Sequence, residues 1–329
     1  MRRPRSLLRG QEAVYHCMSR VVGGQHLLGE QERKTFRNLL YKLAAFLQIR
    51  LLTYTCLSNH FHLLPRVPAK VKLCDRKLRN ALKKFYGDKH PKTLEFIQAL
   101  QNPKGTKLAQ LREQYLKRMG DLSIFMKELK ERFSKWFNDL HDRFGTFWAE
   151  RFKSVAFPAD YAQTLRTVAA YIDLNSVRAG LVPDPGQYAY CGYTEALARA
   201  GPAREGLASF LPGRNWQEKL AGYRMVLFGK GAAPKAGQAS LDPEKALEVM
   251  KKEGKLSLSE ALLLKVRYFS EGIALGPEEF VNEVFEQCRK KYCKVRSQGS
   301  WPMLGADWGG MRSMKKIKEP FDLPAKLKE

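Results

Sequence analysis

No stretch of this sequence comes near the roughly 20 consecutive apolar residues that a membrane-spanning helix needs, and the mean hydropathy is −0.42. No membrane span is expected. Cysteine is scarce: Cys17, Cys56, Cys74, Cys191, Cys288 and Cys293 are scattered, with no C-x-x-C pair and no histidine near the last two. That pattern speaks against a zinc site or a disulfide framework and fits a reducing, intracellular compartment. The phosphate-cradling G-x-x-x-x-G-K-[ST] and the zinc-protease H-E-x-x-H are both absent, so neither a P-loop ATPase nor a common metalloprotease is expected. The stretch Met1-Arg2-Arg3-Pro4-Arg5 lacks the apolar core of a secretory signal and reads as a cytoplasmic basic arm. There is no internal repeat. Acidic residues are the last deficit: 33 Asp and Glu face 58 Lys and Arg, a net charge of +25. So large an excess goes beyond what solubility requires and points to a polyanionic partner, nucleic acid first.

The residues that are present divide into recognisable periods. From 12 to 19, Val14, His16 and Met18 alternate with Tyr15 and Cys17 as a strand would, until Gly23 and Gly24 interrupt. Between Glu30 and Gln48 the residues Phe36, Leu39, Leu40, Leu43, Phe46 and Leu47 recur at helical steps. Leu51–Leu57 and His60–Val67, joined by Ser58-Asn59, predict a hairpin. A second helix is expected over Leu122–Leu140 and a fourth strand over Phe147–Phe157. The order β-α-β-β-α-β predicts an α+β, ferredoxin-like antiparallel sheet with both helices on one face and the other face available for a ligand.

Residues 69–120 form a basic helical insertion, with Lys70, Lys72, Arg76, Lys77, Arg79, Lys83 and Lys84. Its charge suits a solvated face or a DNA contact equally well. The core is expected to end near 195. Glycine, proline and alanine make 196–240 read as linker. Residues 241–329 then read as a helical extension that could bind nucleic acid, one helix running from the capping box Ser257-Leu258-Ser259-Glu260 to Phe269 and a second opening at Gly276-Pro277. The pair suits a helical hairpin better than a helix-turn-helix.

Two of the six histidines stand at His60 and His62 in one predicted strand, where alternate residues share a face about 6 to 7 Å apart. Alone, such a pair reads as two half-buried imidazoles with backbone partners, and a third group is needed to make a metal site. Tyr171 and Asn175, four apart on a predicted helix that ends at Gly180, are the candidates, although a core tyrosine and a helix-end asparagine would space the same way. Were that helix to cross the histidine face, two imidazoles and an amide oxygen would suit Mg²⁺ or Mn²⁺, with Tyr171 aimed at what the metal binds. A phenol is a weak nucleophile unless charge on a phosphate is stabilised, so a nucleic-acid phosphodiester is the matching substrate.

Four pieces carry a resemblance: Val14-Tyr15-His16-Cys17-Met18-Ser19-Arg20, Asn59-His60-Phe61-His62-Leu63-Leu64, Arg151-Phe152-Lys153-Ser154, and Tyr171-Ile172-Asp173-Leu174-Asn175-Ser176-Val177-Arg178-Ala179-Gly180-Leu181-Val182. In this order and spacing, across about residues 10–195, the chain resembles the REP-associated tyrosine transposases, a branch of the single-tyrosine HUH transposases. The resemblance implies a catalytic domain at 1–195, His60, His62 and Asn175 as ligands of Mg²⁺ or Mn²⁺, and Tyr171 as the nucleophile that leaves a 5′-phosphotyrosine and a free 3′-OH. It implies single-stranded DNA with palindromic hairpin repeats as partner, no nucleotide cofactor, a monomer rather than a homodimer, and a cytoplasmic, nucleoid-associated location. Arg20, Arg151, Lys153 and Arg178 lie in the matching pieces and become candidate DNA contacts. His16 is not counted as a ligand. Ser176 stands where the family usually has proline, the insertion is longer than in compact members, and the C-terminal extension occurs in a subset. The alternatives are a domesticated hairpin-binding protein that no longer cuts and a relaxase or rolling-circle nickase.

Overall fold

The alternation along the first strand becomes β1 (Ala13–Arg20), and the helical stripe that follows becomes α1 (Glu30–Phe46). The computed structural model describes residues 8, 10–103, 105–229, 255–292 and 296–323. The expected hairpin is β2 (Arg50–Cys56) with β3 (His60–Val67), and the second long helix is α5 (Leu122–Leu140), started by the Asp121 side chain accepting from the Ile124 N–H at 2.9 Å. The fourth strand, β4, is shorter than expected and covers Lys153–Pro158. Residues 147–149 instead hold β1's end, through Val22 N–H to the Phe147 carbonyl at 2.9 Å and Ala149 N–H to the Arg20 carbonyl at 3.0 Å.

All strand pairs are antiparallel, in the order β2-β3-β1-β4, which is the ferredoxin-like α+β arrangement. Tyr15, Cys17, Phe61 and Leu63 point into a core with Phe36 and Leu40 of α1 and Phe125, Leu129 and Phe133 of α5. The insertion forms α2 (Asp75–Tyr86), α3 (Pro91–Leu100) and α4 (Thr106–Leu116) on that side, with α2 against α1.

The opposite face, expected to be available for a ligand, is covered. Val14, Leu52, Leu64, Val155 and Phe157 line it and would lose favourable burial in water. Over them lie α6 (Ala162–Asp173) and the short α7 (Asn175–Arg178), followed by α8 (Gly192–Ala198), α9 (Pro202–Ala208) and α10 (Trp216–Phe228). The expected linker over 196–240 therefore carries two helices, α9 and α10, because Leu207, Tyr223 and Leu227 belong to this core; residues 230–254 lie outside the described ones.

The C-terminal extension is less helical than expected. Its capping box opens α11 (Leu258–Leu262), which stops well short of Phe269. The backbone beyond finds tertiary partners: Arg267 N–H donates to the Pro320 carbonyl at 2.8 Å and Asp322 N–H to the Lys265 carbonyl at 2.9 Å. After α12 (Tyr268–Glu271) the expected connection between two helices contains β5 (Leu275–Gly276), so the two-helix hairpin does not form. Instead β5 joins β7 (Arg312–Ser313) and β6 (Trp301–Pro302) in a small sheet, with α13 (Glu278–Tyr292) between. Ala156 N–H of β4 donates to the Ile273 carbonyl at 2.9 Å, which lashes this segment to the main sheet's edge. Among the described residues no helix is long and apolar enough to cross a membrane, and five cysteines are free; Cys293 lies outside them.

Candidate metal and tyrosine site

Directly paired residues on neighbouring antiparallel strands point the same way. Arg20 pairs with His60, and Met18 pairs with His62 on one side and Lys153 on the other. His16 shares their face by alternation. On that face His16 Nε2 and His62 Nδ1 are 2.7 Å apart, and His16 Nδ1 lies 2.9 Å from the Phe269 carbonyl oxygen.

His60 has a partner on each ring nitrogen, Asn59 Oδ1 at 2.6 Å from Nδ1 and Asn175 Nδ2 at 3.0 Å from Nε2. Both amides are oriented by other neighbours. Asn59 Nδ2 donates to the Gly24 carbonyl at 3.3 Å, and Arg178, which can only donate, holds Asn175 Oδ1 at 3.2 Å. His60 therefore carries its proton on Nδ1 and turns the Nε2 lone pair toward the tyrosine helix. Burial, reinforced by repulsion from Arg20 and Arg178, lowers its pKa to about 4. Burial likewise brings His16 down to about 3, against the pull of its bond to Phe269. His62 is held well below its ordinary value by burial and then by the two histidines beside it. All three rings are neutral at pH 7, the form in which an imidazole can bind a metal.

Tyr171 sits near the end of α6 and Asn175 begins α7; the two short helices meet at Leu174, and Gly180, at φ +69°, closes the second. Such a left-handed closure suits glycine, as the sequence predicts. The Tyr171 ring lies edge-on to His16 and His62, with centroids 6.0 and 6.5 Å away, and packs on Phe269 at 4.6 Å. Only 4% of Tyr171 is exposed. The Arg178 guanidinium covers its ring at 3.9 Å, donating to the carbonyls of Tyr171 at 2.6 Å and Leu262 at 2.9 Å. Arg178 thus ties Tyr171, Asn175 and the C-terminal segment together.

Between Tyr171 and Asn175 is Asp173, wholly buried. Its carboxylate accepts from Thr53 Oγ1 and from the Tyr223 hydroxyl, each at 2.6 Å, fastening α6 to β2 and α10. Burial still raises its pKa to about 7, although those two bonds and the Cys191 thiol oppose the shift. Sequence reasoning passed over Asp173 and Phe269. An acid inside the apolar run Ala169-Ala170-Tyr171-Ile172-Asp173-Leu174 was a usable signal for the first, since a buried charge demands partners; nothing local marks Phe269.

Of the expected residues, His60, His62, Tyr171 and Asn175 are brought together. Arg20 and Lys153 are exposed on the same sheet face, Lys153 3.5 Å from Glu150, and Arg151 is exposed just before β4. Arg178 points into the protein rather than toward solvent.

Among the described residues no group of three or more His, Cys, Asp or Glu side chains is placed to hold a metal. The expected set, however, is two imidazoles and an amide. His60 Nε2 accepts from Asn175 Nδ2 at 3.0 Å, so the amide lies beside the imidazole nitrogen that would ligate. His62 has its Nδ1 engaged by His16, which leaves Nε2 as its ligating atom. Ligation by Asn175 Oδ1 requires the amide to turn, at the expense of its contact with Arg178. With that turn, the donors suit a small divalent cation that accepts nitrogen and oxygen.

No protein-family model matches the chain, and no curated protein does. Among solved structures, the chain is similar to that of a REP-associated tyrosine transposase bound to a REP hairpin, at 14% identity and a TM-score of 0.37, over 60% of this chain and 85% of the other.

Proposed function

We propose that this protein is a tyrosine transposase that cleaves and rejoins single-stranded DNA at palindromic hairpin repeats. The observation that carries the reading is the meeting of the histidine pair with the tyrosine helix: Asn175 comes within 3.0 Å of His60 across 115 positions of sequence, and the Tyr171 ring lies edge-on to His62 at 6.5 Å. The net charge of +25 supports a polyanionic substrate. Tyr171 would attack a backbone phosphorus: its oxygen forms the new P–O bond, the bond to the 3′ oxygen breaks, and the products are a 5′-phosphotyrosine and a free 3′-OH. Reversal by another 3′-OH rejoins the strand without nucleotide energy. Mg²⁺ or Mn²⁺ held by His60, His62 and Asn175 would supply Lewis-acid stabilisation of the phosphate charge. Arg20, Arg151 and Lys153 would grip the strand at the mouth of the site, and the protein would act as a nucleoid-associated monomer.

The test incubates labelled single-stranded hairpins with the protein and Mg²⁺ or Mn²⁺, then separates products under denaturing conditions beside Tyr171→Phe. A labelled protein band from wild type alone supports the reading. An equal band from Tyr171→Phe refutes the assignment of the nucleophile. One observation favours a second reading, a hairpin-binding protein that does not cut: Tyr171 is only 4% exposed, beneath Phe269 and Arg178. Tight binding with no adduct under either metal would decide for it.

A further inference from the structure

The C-terminal segment touches the site through a main-chain group whose chemistry has no ambiguity. A carbonyl oxygen can only accept, so the 2.9 Å contact between the Phe269 carbonyl and His16 Nδ1 requires the proton of neutral His16 to sit on Nδ1. His16 Nε2 is then a bare lone pair. The nitrogen 2.7 Å away, His62 Nδ1, must donate to it, which puts the proton of His62 on Nδ1 as well. The remaining nitrogen, His62 Nε2, is left with its lone pair. We infer that the Phe269 carbonyl, acting through His16, sets the tautomer of His62 and so makes the C-terminal segment a positioning part of the metal site. The inference rests on the metal role proposed for His62.

The arrangement is matched on the other ligand. Asn59 Oδ1 does for His60 what His16 does for His62, so both rings of the pair are pinned with Nδ1 protonated and Nε2 free. The two supports differ in origin. Asn59 is the residue next to His60, whereas the support of His62 runs through His16, 46 positions away, to a carbonyl another 253 positions from His16. Phe269 itself is fully buried, held between Tyr171 on one side and Trp308 on the other, so its carbonyl is not free to drift. A hydrogen-bonded partner behind a metal-binding imidazole orients the ring and its tautomer, and its loss costs about 10- to 100-fold in metal affinity.

The test reads tautomers and metal affinity, at fixed pH and without DNA. Metal-free protein labelled with ¹⁵N-histidine is examined by two-bond ¹H–¹⁵N correlation, which distinguishes protonated from bare ring nitrogens. His16 and His62 are both expected with the proton on Nδ1. Either ring found protonated on Nε2 overturns the inference in wild type alone, whatever a variant does. In His16→Leu, His62 should leave the Nδ1-protonated form and Mn²⁺ affinity should fall about tenfold or more. His16→Gln, whose amide can donate to the Phe269 carbonyl and accept from His62, should recover both. An unchanged His62 tautomer and unchanged Mn²⁺ affinity in folded His16→Leu would also overturn it. If wild type shows the expected tautomers and His16→Leu shifts them, but no protein binds Mn²⁺, the relay stands and the metal reading falls.

Discussion

Replacing Asp173 by asparagine should make the protein more stable than wild type in mild alkali, and the advantage should shrink as the pH falls. The carboxyl group loses its proton near 3.8 in an unfolded chain and near about 7 in the folded protein. Between those values the native state binds the extra proton, so stability falls as pH rises; the penalty is absent below the first value and complete above the second. At 1.36 kcal/mol per unit, a rise of about three units is worth about 4 kcal/mol at most. Asparagine avoids it while keeping the site filled, because the Thr53 and Tyr223 hydroxyls can rotate to accept from its amide. His16, His60 and His62 act in the opposite sense, their lowered folded values removing stability as pH drops below 6.5, but they do so in both proteins. The difference between variant and wild type therefore isolates Asp173. Urea unfolding at pH 5 and pH 8.5, with slopes unchanged, should show that difference growing by about 2.5 kcal/mol toward the alkaline end. A difference independent of pH, or one favouring wild type more at 8.5 than at 5, would refute the account of Asp173 as a carboxyl penalised by burial.

His60→Ala should lose Mn²⁺ binding and any metal-dependent cutting while retaining hairpin binding, measured by titration and gel shift. In Arg178→Lys the three-way contact to the carbonyls of Tyr171 and Leu262 and to Asn175 Oδ1 cannot be reproduced by a single ammonium. Its unfolding free energy should drop by about 1–3 kcal/mol. The insertion between 69 and 120 carries 14 Lys and Arg against four Asp and Glu, and Arg76, Lys77 and Lys84 are exposed on α2. If these contact phosphates, Arg76→Ala with Lys77→Ala should weaken binding across sequences and reduce the slope of log affinity against log salt by about two; an unchanged slope would leave α2 as a solvated face.

The elements built on local periodicity were legible. α5 runs over the residues its apolar spacing marks, α1 stops one turn early or less, and the Ser58-Asn59 turn joins β2 to β3 as read. The H-x-H pair and the Tyr171–Asn175 pair were legible for the same reason, since two-residue and four-residue spacings determine which side chains share a face. What covers the histidine face was not. The extent of α11 depends on where the Pro320 carbonyl and the Asp322 N–H lie, and the helicity of 202–228 depends on a hydrophobic face that only the assembled sheet offers. Arg178 lay in a piece that carries the resemblance and read as a candidate DNA contact; its inward turn follows from the Leu262 carbonyl, 84 positions away.

The contact between Phe269 and His16 also orders events in time. A chain made from its N-terminus at about 5–20 residues per second completes the sheet and the tyrosine helix well before residue 269 exists. For a period on the order of ten seconds, then, the newly made protein holds His16 and His62 without the carbonyl that fixes their protons, and Tyr171 without the ring that covers it. A nascent chain paused in that interval, or one clipped by a protease before Phe269, lacks two contacts at the site itself, the carbonyl behind His16 and the ring over Tyr171.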